Sequence, residues 1–174
     1  MSDANDKTDI GAAAAHWWRT ALADTGPGRM ARARLRRCNT PVEALAVEAT
    51  HTLHAALGGG MKRQGDRLAL IAIALANIRE SHAKPAAERM GDIVAERERP
   101  KVSPVRFQTL IRTGKPAELI RPLRRALAQI DQEANVAALA RDLFYWGEAT
   151  RNRWCFAYYG AASAAPETAE EFQQ

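Results

Sequence analysis

The chain has 174 residues, 47% hydrophobic and only 6% aromatic, which supplies one helical domain, or two small halves sharing a core, and argues against a large β-sandwich. The formal charge is +5, yet Asp3, Asp6 and Asp9 outnumber Lys7 at one end, and Glu167, Glu170 and Glu171 stand without a base at the other. The stretch between is therefore strongly cationic, and a polyanionic partner is expected, nucleic acid ahead of acidic lipid. Cys38 and Cys155 form no CxxC pair, the start has no secretion-signal pattern, and the longest apolar run is too short to span a bilayer. A reducing cytoplasm is the expected setting, with no membrane partner.

In chain order, residues 1–10 read as a loose polar arm and residues 12–23 as a first helix carrying His16, Trp17 and Trp18. Thr25-Gly26-Pro27-Gly28 stops it, and the basic segment 29–37 is helix-compatible. Thr40-Pro41-Val42-Glu43 has the pattern of a capping box and opens a helix to about Leu57, ended by Gly58-Gly59-Gly60. Asp66 is placed to cap a helix over 67–82, whose middle is apolar almost all round, the mark of a central buried helix. Residues 86–98 are read as helical. Ser103-Pro104 starts a short helix to Arg112, residues 117–129 form another around Pro122, and Asn135 caps the last long stretch, which bends at Gly147 before 151–159. No alternating strand pattern and no repeat occur, so the expected fold is all-α, a two-lobed helical bundle. Its expected parts are a disordered arm over 1–10, lobes over 11–100 and 101–160, and a disordered acidic tail over 161–174.

The strongest local feature is Gly28–Arg37, with five arginines and no acid; at 100° per residue Arg29, Arg32 and Arg36 share a stripe opposite Ala31, Leu35 and Cys38. A second basic cluster runs from Lys101 to Arg125, and Arg151 and Arg153 make a third. Three such patches can merge into one groove for a nucleic-acid backbone, or stay scattered. Trp17-Trp18 and Tyr158-Tyr159 offer rings for base stacking, but at most one of each pair faces the core; Trp146 and Trp154 read as core. Glu48, His51 and His54 are poorly phased for metal, Asp142 suits a buried ion pair, and no catalytic motif or cofactor loop appears. No catalytic, cofactor or metal residue is therefore assigned.

Several segments together resemble the CasB family, the small subunit of the type I-E CRISPR surveillance complex Cascade. They are Trp17-Trp18-Arg19, Arg32-x-x-Leu35-Arg36-Arg37, Arg106-Phe107-x-x-Leu110-Ile111-Arg112 and Leu123-Arg124-Arg125, then Asn135-Val136-x-x-Leu139-Ala140-x-Asp142-Leu143-x-x-Trp146 and Arg151-x-Arg153-Trp154 with Tyr158-Tyr159. The resemblance implies a non-enzymatic subunit in antiviral defence. Its implied partners are a second copy of itself, the crRNA-bearing CasC backbone, the large subunit CasA and the displaced non-target DNA strand, held to stabilise the R-loop. It places nucleic-acid contacts at Arg36, Arg37, Arg106, Arg112, Arg124, Arg125, Arg151 and Arg153, to which the helical stripe adds Arg29 and Arg32. The alternatives are a helix-turn-helix regulator, with 29–37 as its reading helix, and an assembly adaptor that makes no DNA contact.

Overall fold

The computed structural model describes residues 8–163. Among them are ten α-helices: α1 Ile10–Ala21, α2 Gly26–Arg37, α3 Pro41–Leu45, α4 Glu48–Ala56, α5 Gly65–Ala76, α6 Ala86–Gly91, α7 Pro104–Arg112, α8 Pro116–Gln129, α9 Val136–Phe144 and α10 Glu148–Ser163. A 3-10 turn at Lys62–Gln64 and four two-residue strands complete it: β1 Glu80–Ser81, β2 Ile93–Val94, β3 Arg99–Pro100 and β4 Glu133–Ala134. The fold is an all-helical bundle, and no described helix is long and apolar enough to cross a membrane.

The centre is α5. Every residue from Leu68 to Ala76 is buried, so the helix must be covered on all sides. It packs against α2, α3 and α4 from the preceding chain and against α8 and α9 from the following one. α1 lies on α9 and α6 on α10, so elements from both sides of residue 100 enter one core. Two glycines permit the closest crossings. A Cβ at Gly11 would lie 2.9 Å from the Ala137 carbonyl oxygen, between α1 and α9; one at Gly91 would lie 2.1 Å from the Tyr158 carbonyl oxygen, between α6 and α10.

Polar side chains tie the long-range joints. Arg67 donates to the carbonyls of Leu143, Phe144 and Trp146, satisfying acceptors that the end of α9 leaves open. Buried Arg89 donates to the Ile130 and Glu133 carbonyls and sits 3.5 Å from the Glu133 carboxylate. Tyr158 stacks on Phe107 at 3.9 Å and donates to the Val102 carbonyl. Desolvation pushes its phenol up to about 12. Asp142 is buried as expected, held by Arg153 and by the Trp154 indole N–H at 2.8 Å.

Several expectations are corrected. Asp9 caps α1 by accepting from the Ala12 N–H, and Ile10 is buried, so the ordered fold begins inside the expected arm; residues 1–7 lie outside the described part. Thr25 caps α2 as well as following α1, accepting from the Gly28 N–H. The single helix expected over 41–57 is two, α3 and α4, broken at Ala46-Val47. The break is filled by Thr50, whose hydroxyl donates to the Ala44 carbonyl at 2.6 Å. Thr40 makes no side-chain cap; Glu43 accepts from the Asn39 N–H instead.

The Asp66 side chain does not cap α5, and the helix stops at Ala76, where the Asn77 amide donates to the Ile73 carbonyl. The chain then pairs in parallel with β4 across 53 residues. The helix expected over 86–98 ends at Gly91, and β2 and β3 form a hairpin. At the other end α10 continues through Ser163, three residues into the expected tail; residues 164–174 lie outside the described part.

Replacing Gly91 with Ala should drive α10 off α6 and cost about 1–3 kcal/mol, read as a lower melting temperature of about 2–4 °C per kcal/mol. Gly60→Ala, with open space around it, should melt like the parent. Equal melting of the two variants would show that the crossing is not tight.

Candidate nucleic-acid interface

α2 and α8 both pack on α5, and Arg124 of α8 reaches across to the end of α2 and closes the joint. Its guanidinium donates to the Asn39 side-chain carbonyl at 2.9 Å and to the Cys38 carbonyl at the end of α2. The helix end supplies open carbonyls and favours a cation. Burial, aided by the charges of Arg121 and Arg36, holds Arg124 below the ordinary arginine range, while the neighbouring Cys38 and Glu43 oppose that shift. Arg32 is likewise held low by burial and then by Arg36. Arg36 thus lies close enough to act on both Arg32 and Arg124, and Arg121 on Arg124, so two helices far apart in sequence contribute to one cationic neighbourhood. Burial raises the Cys38 thiol, which sits under this joint.

The neighbourhood extends over α8. Arg121 and Arg125 are both exposed and one turn apart. Arg125 then shares a surface cavity of about 530 Å³ with Arg106, Thr109, Pro122 and Gln129, between α7 and α8. The Gln129 side-chain oxygen there is buried without a partner. Arg36, Arg37, Arg106, Arg112, Arg121 and Arg125 are exposed and make no ion pair among the described residues. Such groups cost little to hold near one another and are available to phosphate.

The other candidates sit differently. Arg29 pairs with Asp24 at 3.3 Å. Arg32 is half-buried, donating to the Ile78 carbonyl at 3.0 Å and the Leu22 carbonyl at 2.8 Å, with its guanidinium 5.6 Å from the Trp18 ring centre. Arg151 donates to the Ile111 carbonyl and is half-buried at the end of α7; Arg153 pairs with Asp142. Arg32, Arg124 and Arg151 therefore hold the fold together with at least part of their guanidinium groups. Arg112 lines a small cavity with Phe107, Ile111, Cys155 and Tyr159.

Trp17 is buried, donating to the Ala49 carbonyl and the Thr52 hydroxyl, and Trp18 is half-buried, donating to the Ile78 carbonyl. Trp146 and Trp154 are core. Among the described residues no cluster of three or more His, Cys, Asp or Glu is placed to hold a metal. His51 reaches the Leu45 carbonyl and His54 accepts from the Met61 N–H.

Sequence reasoning did not single out Arg79, whose long-range neighbours, Gln132 and Glu133, are brought to it by the unforeseen pairing of β1 with β4. It counted Arg121 in the basic stretch without ranking it as a contact, although the i, i+4 spacing to Arg125 was the available signal.

The model of the family described as CRISPR-associated protein Cse2 matches residues 31–159. A solved chain from the crystal structure of E. coli Cascade bound to a PAM-containing dsDNA target with a 32-nucleotide spacer shares the fold, with a TM-score of 0.62 and 21% identity. The likeness covers 87% of this chain and 97% of that one. No curated protein matches at the sequence level.

Arg124→Ala should cost about 1–3 kcal/mol by stranding the Cys38 carbonyl, whereas Arg36→Ala and Arg125→Ala should stay within about 0.5 kcal/mol of the parent. Chemical denaturation of the three variants checks this, and equal losses would refute the division between joint and surface.

Proposed function

Because this chain belongs to the CRISPR-associated Cse2 family, also called CasB, we propose that it is the non-catalytic small subunit of a type I-E Cascade complex in antiviral defence. Its role there is to hold the displaced non-target DNA strand and so stabilise the R-loop. The observation that carries this reading is the Arg124 joint, which gathers cationic side chains of α2 and α8 and leads, by way of Arg125, to Arg106 on α7. One turn of α8 separates Arg121 from Arg125 by about 6 Å along the helix axis, so the two exposed guanidinium groups lie on one side of the helix and can both reach a single backbone.

Contact with phosphate alone is indifferent to sequence, which suits a complex whose sequence reading is done by guide pairing. R-loop formation exchanges one duplex for another of similar stability, so modest contacts to the freed strand shift the balance. The track in this proposal comprises Arg36, Arg37, Arg106, Arg121 and Arg125, with Arg32 and Arg124 as charged supports beneath it. Arg29, Arg112, Arg151 and Arg153 are not part of the track in this proposal. The partners are a second copy of the chain, the crRNA-bearing CasC backbone and CasA. Exposed Phe156, Val42 and Val105 offer apolar contacts for such neighbours. A helix-turn-helix reading is disfavoured because Arg32 of α2 is turned back onto Trp18 and two carbonyls.

In an assembled complex, replacing Arg36, Arg106, Arg121 and Arg125 with Ala should shorten the lifetime of bound target DNA. It should also lower the magnitude of the log-log salt slope by about 3, at about 0.7 per single-strand phosphate. Bound crRNA should be unchanged. Filter binding across a salt series measures the slope; an unaltered slope and lifetime would overturn the track.

A further inference from the structure

A separate cavity of about 510 Å³ opens beside the first two helices, at the opposite end of α2 from the Arg124 joint. Trp18 and buried Leu22 form its apolar lining, and Arg19, Arg29, Arg32 and Arg79 surround it; Asp24 of the lining pairs with Arg29, and Glu133 pairs with Arg79 at 3.5 Å. The volume falls in the range of ordinary small-molecule sites.

Arg32 is the informative member. It is half-buried and stays protonated at physiological pH, yet its hydrogen-bond partners are two neutral carbonyls. The nearby carboxylate, Asp24, is paired with Arg29. Asp24 is shared between Arg29 and Arg32, and offsets the burial of Arg32 only in part; a desolvated cation so weakly balanced is costly, and an anionic group entering the cavity would reduce that cost. The two carbonyl bonds and the contact with the Trp18 ring fix the guanidinium before any ligand arrives, so little ordering is needed on binding. The combination of apolar indole and several guanidinium groups matches a base joined to a phosphate.

We propose that this cavity receives one unstacked nucleotide of a nucleic-acid strand, its phosphate among Arg19, Arg29, Arg32 and Arg79 and its base against Trp18. The inference rests on the strand-holding reading above and deepens it. The strand runs along α2 from the exposed Arg36 to the cavity, about 10 Å for the seven residues back to Arg29, and there turns one base inward. Arg32 lines the cavity and stands one helical turn from Arg36.

The test uses the full-length chain at low salt with a single-stranded 12-mer carrying 5-bromodeoxyuridine, irradiated and mapped by mass spectrometry. Trp18 should be the main labelled residue. The triple variant Arg19→Ala, Arg29→Ala, Arg79→Ala replaces exposed side chains only and should melt like the parent. It should lose that label and bind the 12-mer about tenfold more weakly. Labelling elsewhere with Trp18 untouched, or unchanged affinity in the triple variant, would overturn the cavity while leaving the track standing. An Arg36→Ala, Arg121→Ala, Arg125→Ala variant that binds as tightly as the parent would overturn the track instead. Absence of binding overturns both. Equal labelling of Trp18 by free 5-bromo-dUMP at the same concentration would show a mononucleotide site and overturn the strand assignment.

Discussion

The requirement to cover α5 on every side governs the molecule. A helix with nine consecutive buried residues cannot rest on a single layer. It draws helices from the preceding and the following chain around itself, and in doing so brings the end of α2 within reach of Arg124 on α8. The cationic surface is a consequence of that geometry: each helix alternates an apolar face toward α5 with arginines away from it, so two core contacts place two basic edges side by side.

Bringing like charges together is unfavourable, and the structure moderates the cost in two ways. The guanidinium groups nearest the joint, Arg124 and Arg32, are aimed at neutral carbonyls, three of the backbone and one of the Asn39 side chain, dipoles that accept their hydrogen bonds without removing their charge. The outer ones, Arg36, Arg121 and Arg125, remain in water, where screening is strong. The result differs from an ordinary solvated surface, in which both signs are interleaved. Elsewhere the fold does use ion pairs, at Arg89 with Glu133 and at Arg153 with Asp142.

The same physics separates supporting arginines from presented ones. A guanidinium that satisfies carbonyls left open at a helix end, as Arg67 does for α9, belongs to the fold even when it falls within a basic run. Family resemblance and charge counting treat all arginines alike, and the hydrogen bonds tell them apart. Arg124 and Arg151 have the same sequence signature as Arg125 and different work.

Much of the fold was legible in the sequence because its causes are local. Ser103 and Asn135 cap α7 and α9 with the side-chain bonds that their spacing suggested. The all-round apolar run identified α5, and the acid-free arginine segment identified a cationic helix. What the sequence could not determine depends on partners tens of residues away: α5 ends where the backbone finds β4, α6 ends where Gly91 meets α10, and α3 parts from α4 over Thr50. The meeting of α2 with α8, and hence which arginines share a surface and which are spent on carbonyls, was decided only by tertiary packing, because periodicity fixes the face on which a side chain lies but not the helix that comes to rest beside it.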